Sequence, residues 1–242
     1  TTWEGLIKSV RAKVKGTKTK IRLGASSGEW KAMVADEAAR TAFAKNIKTV
    51  LEKNKLDGID LDFEWAENEK EYKDYSLAIL KMREVLGDKY LFSVSLHPVC
   101  YKISKEAIEA VDFISLQCYG PSPVRFPIEK YCSDIQMVLE YGIPREKLVA
   151  GVPFYGVTKD NSKKTEAYFN FVQNGLVTSP AQNEVIYQGD TYVFDGQDNI
   201  RIKTRYAKEQ KLKGMMSWDL ATDLPLSDSR SLLKTMTEEL RE

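Results

Sequence analysis

Apolar residues recur at helical spacing over 3–14, where Trp3, Leu6, Ile7, Val10 and Val14 form one stripe. Gly16 closes that helix, and Lys20–Ala25 reads as a short strand. A helix is predicted over 31–53, with Phe43, Ile47, Val50 and Leu51 facing inward. Between 56 and 65 the period changes to two: Ile59, Leu61 and Phe63 alternate with Asp60, Asp62 and Glu64. Strict alternation predicts a strand over 57–64, with the three acids on one face and Glu64 at its C-terminal end. The pattern then gives a helix over 69–86, a strand over 91–96, a short helix over 105–110 and a strand over 111–118. A helix over 128–141 and a strand over 148–152 follow. Residues 159–182 read as polar loop plus one helix, and 184–187 and 191–194 as an antiparallel hairpin. A helix over 201–211, a strand over 214–218 and a helix over 227–241 complete the chain.

Strands alternating with helices argue for a parallel sheet wrapped by helices, either an α/β barrel or a doubly wound sheet. No G-x-G-x-x-G follows a strand and no G-x-x-x-x-G-K-[ST] occurs, so the usual signals of nucleotide-binding sheets are missing. The 242 residues, 43% hydrophobic, suffice for one large domain. The net charge of +1 gives no basic excess toward nucleic acid. No apolar run is long enough to span a membrane. Cys100, Cys118 and Cys132 show no CxxC spacing, and two of them, in apolar strand-like surroundings, read as small buried hydrophobes. With His97 the single histidine, a His-based metal site or a Ser-His-Asp triad has little to draw on.

The acidic stretch carries the chemistry. Each two-residue step advances roughly 6.6 Å, so Asp60, Asp62 and Glu64 form a ladder of carboxylates. Charges that close do not all ionise cheaply, and the set keeps or shares a proton. A proton donor beside an ionised carboxylate is what glycoside cleavage needs. A solvated acidic face on a half-exposed strand is the other reading, though acids are depleted in strands.

The stretch Asp57-Gly58-Ile59-Asp60-Leu61-Asp62-Phe63-Glu64 resembles the Asp-Gly-x-Asp-x-Asp-x-Glu signature of glycoside hydrolase family 18, the chitinases and endo-β-N-acetylglucosaminidases. Further stretches are similar to motifs of the same family. Ser26-Ser27-Gly28-Glu29 stands where the family has Ser-x-Gly-Gly, with Glu29 a departure, and Ser26 and Gly28 are given a supporting role beside Asp57 and Gly58. Gln117-Cys118-Tyr119-Gly120 resembles the family's Met/Gln-x-Tyr-Asp, with Gly120 in place of Asp or Asn. Leu148–Gly156 resembles the seventh-strand signature; its Tyr155 either lines the cleft or packs. Met215-Met216-Ser217-Trp218-Asp219 resembles the eighth-strand ending, whose Trp floors the sugar subsite. His97 either touches ligand or packs.

The resemblance implies a (β/α)8 TIM-type barrel with its site at the C-terminal strand ends and a small β-hairpin insertion between the last two strands. It makes the six strands the third to the eighth. The first two strand–helix units, roughly 60 residues at ~30 per unit, are then expected ahead of Thr1, and the single catalytic domain over 1–242 reads as N-terminally incomplete. It also implies substrate-assisted retaining hydrolysis of β-1,4-linked N-acetylglucosamine. Glu64 is the acid, Asp62 orients the acetamide and stabilises its developing positive charge, and Asp60 shares a proton or hydrogen bond beneath it. Tyr119 holds the N-acetyl oxygen, and no metal or organic cofactor is needed. Trp218, Gln117, Tyr155, Met216 and His97 bind the oligosaccharide. Two alternatives stay open: an endo-β-N-acetylglucosaminidase acting on N-glycan cores, and a glycan-binding member without hydrolysis. A secreted, periplasmic or cell-surface location is the family's implication; the oligomeric state is not legible.

Overall fold

The computed structural model describes residues 2–26, 28–120, 126–160 and 164–242. The chain divides into two compact units, Thr1–Leu96 with Cys100–Ile114 and His97–Val99 with Ser115–Glu242.

In the first unit, α1 (Trp3–Lys13) precedes β1 (Arg22–Ala25), α2 (Trp30–Ala35), α3 (Glu37–Asn54), β2 (Gly58–Leu61), α4 (Glu69–Leu86), β3 (Leu91–Leu96) and α5 (Lys105–Ala110). β1, β2 and β3 are parallel neighbours, with Gly24 opposite Asp60 and Asp60 opposite Ser93. One face of β2, Ile59 and Leu61, is fully buried, as are Leu51 of α3 and Ile79 of α4. The single helix expected over 31–53 is two. Asp36 has an extended backbone, and its carboxylate accepts the Ala39 N–H at 2.7 Å, capping α3 and ending α2. An acid that looks like surface decoration in a helical pattern thus starts a new helix, and the break leaves Trp30 and Val34 buried.

Gly58 lies opposite Leu91 of β3, where there is no room for a side chain. A Cβ there would lie 1.9 Å from the Leu91 carbonyl oxygen, an obstacle that is backbone and cannot rotate away. Gly58→Ala is therefore expected to lose about 3 kcal/mol of stability, the upper end for overpacking. A urea midpoint shift at unchanged slope would measure it.

β4 (Phe113–Leu116) runs from the first unit into the second, which continues with α6 (Ile128–Tyr141), β5 (Leu148–Pro153), β6 (Tyr155–Thr158), β7 (Thr165–Ala167), α7 (Tyr168–Gln173), β8 (Glu184–Tyr187), β9 (Asp190–Val193), α8 (Gln197–Glu209), β10 (Gly214–Trp218) and α9 (Leu232–Arg241). β5 and β10 pair in parallel, bringing Trp218 opposite Pro153. The expected hairpin exists, turning at Gln188 and Gly189 with positive φ at both, but it is part of a four-stranded antiparallel sheet in the order β7-β6-β9-β8. β6 and β7 escape the sequence pattern because each is short, four and three residues. Phe171 of α7 gathers the sheet's aromatics, with ring centroids 5.4 Å from Tyr192 and Phe194. The helix expected over 201–211 begins earlier, at Gln197. The last helix begins later, at Leu232, where Ser231 caps Lys234 N–H.

Candidate active site

The acidic segment is a strand only as far as Leu61. Asp62 N–H still donates to the Ala25 carbonyl at 2.9 Å, but β1 ends there and Phe63 is taken by aromatic packing instead. Its ring stacks on Trp30 at 5.3 Å and meets Tyr75 at 5.4 Å. Alternation nevertheless survives the strand's end: Phe63 is buried, Asp60 and Asp62 are half-buried, and Glu64 is exposed. Glu64 was expected at the end of a strand; it sits in an irregular turn fixed on both sides. Trp30 Nε1 donates to the Glu64 carbonyl at 3.1 Å. Ala66 N–H donates to the Cys100 thiol at 3.2 Å. The Glu64–Trp65 peptide is cis. Burial pushes the Cys100 thiol's pKa up, so it serves here as a buried acceptor and not as a nucleophile.

Asp60 is held from the sheet side. Oδ1 accepts from the Ser93 hydroxyl and Oδ2 from the Ser95 hydroxyl at 2.7 Å. The Arg22 guanidinium lies 3.8 Å from Oδ1 and donates to Ser93 Oγ. Tyr75, fully buried on α4, has its pKa pushed well above the ordinary phenol range, first by burial and then by Asp60, Cys100 and Asp62 nearby. Asp57 stands at the other end of β2. Its Oδ2 accepts the Ile21 N–H at 2.8 Å while its own N–H donates to the Ile21 carbonyl at 2.8 Å, so it staples strand starts. Ser26 and Gly28 are exposed just past β1, and a Cβ on Gly28 would meet nothing within 4 Å; no close approach there requires a glycine. Ser27 lies outside the described residues.

The second unit holds the remaining candidates. Tyr119 is buried beyond β4, its hydroxyl 3.1 Å from Gln117 Oε1 and 3.9 Å from Met216 Sδ. Its ring meets Tyr155 edge-on at 6.3 Å, and Tyr155 is likewise edge-on to Phe126. Tyr155 is thus packed while remaining partly exposed. Trp218 ends β10 and is 55% exposed. Asp219 follows through a cis peptide and caps Ala221 and Thr222.

Gly120 has a specific neighbour. A Cβ there would lie 2.9 Å from Cε1 of buried His97, so the imidazole fills the space a side chain at 120 would need. Gly120→Asp is expected to cost about 1–3 kcal/mol through overpacking, and His97→Ala in that background to restore most of it. Additive losses in urea unfolding of the double variant would contradict the contact.

Sequence reasoning missed Arg22, Ser93, Ser95, Trp30 and Cys100. Ser93 and Ser95 did carry a signal: two hydroxyls at period two inside an apolar strand. Among the described residues, no three His, Cys, Asp or Glu side chains are placed to hold a metal ion, and no helix is long and apolar enough to cross a membrane.

Comparisons with known proteins agree on the architecture. "Probable chitinase 2" of Drosophila melanogaster is 23% identical over 81% of this chain, which spans 54% of that protein, about half its length. A chitinase structure from Bacteroides thetaiotaomicron superposes with a TM-score of 0.86 at 21% identity, covering 98% of this chain and 81% of that one. A class V chitinase from Nicotiana tobaccum, in complex with NAG4, superposes with a TM-score of 0.80 at 17% identity over 98% of this chain and 84% of that one. These likenesses show the α/β fold of the TIM-barrel type that the sequence predicts. The family model for Glycosyl hydrolases family 18 matches residues 4–223, and the chain belongs to that family.

Proposed function

We propose that this protein hydrolyses β-1,4-linked N-acetylglucosamine oligosaccharides of the chitin type, with retention, using Glu64 as its acid and base. The observation that carries the reading is the state of Glu64: an exposed carboxyl on a backbone pinned by Trp30 and Cys100, ending an intact Asp-Gly-x-Asp-x-Asp-x-Glu segment. Glu64 donates its proton to the glycosidic oxygen as that oxygen leaves the anomeric carbon. The substrate's own acetamide oxygen forms the new bond to that carbon, giving an oxazolinium ion, one of the recognised exceptions to a two-carboxylate scheme. Asp62 accepts from the acetamide N–H and offsets its developing positive charge. Tyr119 aligns the N-acetyl oxygen, and Trp218 carries the sugar's apolar face. Glu64, now ionised, takes a proton from water as the water opens the oxazolinium ion and returns the hemiacetal. Gln117, Met216, Tyr155 and His97 shape the surroundings of Tyr119. The family also implies action outside the cytoplasm.

The test is cleavage of N-acetylchitotetraose beside a high-mannose N-glycopeptide. Cleavage of the first with the second left intact supports the chitin-type reading. Cleavage of the glycopeptide alone replaces it with the endo-β-N-acetylglucosaminidase reading, and binding without cleavage of either replaces it with a lectin.

A further inference from the structure

We propose that Glu71 of α4, paired with Lys31 of α2, is a positioning residue: it grips Glu67 and so fixes the path of the chain immediately beyond Glu64. The proposal deepens the hydrolase reading and rests on it. Its basis is the way the turn after Glu64 is tied. Glu71 Oε2 accepts the Glu67 N–H at 2.8 Å, and Lys31 Nζ lies 2.9 Å from that same oxygen. Lys31 Nζ also reaches Glu67 Oε2 at 3.2 Å, so Glu67 is held by backbone and side chain together.

Helix capping alone would place these groups differently. In a capping box the third helical residue accepts the N–H of the N-cap itself. Here the N-cap is Asn68, whose side chain accepts the Glu71 N–H at 3.0 Å, while the Glu71 carboxylate reaches past it to Glu67. A lysine from a second helix then closes on that carboxylate. Lys31 first, and then the Glu67 N–H, hold the Glu71 carboxyl below its ordinary pKa. Each of the two helices contributes consecutive residues to the turn. From α2, Trp30 holds the Glu64 carbonyl and Lys31 holds Glu67. From α4, Glu71 holds the Glu67 N–H, and Tyr72 is hydrogen-bonded to the Cys100 thiol that accepts the Ala66 N–H. The segment is thereby gripped at 64, 66 and 67, and releasing 67 leaves the Glu64 carboxyl on a looser backbone.

On N-acetylchitotetraose, Glu71→Ala is expected to lower kcat about tenfold with KM within roughly twofold. A misplacement of about 1 Å costs up to about 10²-fold, and Glu71 acts through the backbone and not on the sugar. Glu71→Gln keeps an oxygen for the Glu67 N–H and gives up only the ion pair, so kcat should recover to within about threefold of wild type. An unmoved kcat in Glu71→Ala, whatever its stability, would make Glu71 a helix cap and overturn the proposal. So would a loss that Glu71→Gln does not recover. A second readout needs no substrate. Amide hydrogen exchange in Glu71→Ala should quicken by about tenfold or more at both Ala66 and Glu67, with the β2 amides unchanged. Faster exchange at Glu67 alone, or at neither, overturns the proposal even if the wild type fails to cleave, an outcome that would separately overturn the hydrolase reading. If Glu71→Ala does not fold, Lys31→Met keeps the Glu67 hydrogen bond and removes the charge behind it. The same two changes are expected there at about threefold, and their absence likewise contradicts the inference.

Discussion

The Glu64→Gln protein is expected to fold like the wild type and to lose about 10²–10⁴ of its turnover on N-acetylchitotetraose, the range that general acid–base catalysis supplies. That range corresponds to about 3–5 kcal/mol of transition-state stabilisation. The side chain is exposed, and what fixes the turn is the backbone: the Glu64 carbonyl on Trp30, Phe63 in its aromatic stack and the Ala66 N–H on Cys100. None of these changes when a carboxyl oxygen becomes an amide nitrogen. The amide has no acidic proton to transfer to a leaving oxygen, so kcat falls while KM stays close to the wild-type value. Steady-state kinetics beside a thermal melt check both halves. Unchanged turnover would remove Glu64 from the mechanism.

Lys203→Met is expected to destabilise the protein by about 3–5 kcal/mol at neutral pH, the cost of leaving one charge of a buried pair uncompensated. Lys203 on α8 and Asp195 are each 1% exposed, with Nζ 2.6 Å from Asp195 Oδ2 and 2.8 Å from the Phe126 carbonyl. The sign of the pH dependence follows from Asp195. Burial raises its pKa above the ordinary 3.8, against the opposing pull of Lys203 and Asn199. A carboxyl raised in the folded state favours folding fully below its unfolded value, and that advantage is lost as pH climbs through the folded value. Without Lys203 the folded value climbs further. The variant's deficit is therefore largest near neutrality and shrinks as pH falls toward the carboxylate range, where Asp195 takes up a proton. Urea unfolding at several pH values measures this, and a deficit that grows on acidification would contradict it.

Much of the architecture is legible in the chain because local pattern and packing agree. The 69–86 and 105–110 helices carry their own caps at Asn68 and Ser104, and their observed bounds match the pattern. The acidic segment was legible as alternation but not in extent. Where β1 stops at Ala25, tertiary packing of Phe63 takes over from strand pairing, and no period-two pattern records that exchange. The break at Asp36 is a capping event inside a helical period, which the apolar stripe does not sense. β6 takes one partner from nearby β7 and the other from distant β9, and each strand is too short for a period of two to show. Among the candidate site residues, Glu64, Asp62, Asp60, Tyr119 and Trp218 stand in motifs. The residues that hold them are ordinary in sequence. Arg22 reads as one polar position in a short strand, and His97 as a lone histidine before a proline. Only register brings Arg22 to Asp60, and only the missing side chain at Gly120 explains the room His97 occupies.

The most direct test of the central claim is the anomeric form of the first product, read by proton NMR within minutes of adding wild-type protein to N-acetylchitotetraose. Attack by the substrate's acetamide followed by water inverts the anomeric carbon twice, so the newly formed reducing end should appear as the β-anomer and drift to the equilibrium mixture. A first product in the α form would mean a single displacement by water and would contradict the acetamide-assisted account of Glu64, Asp62 and Tyr119.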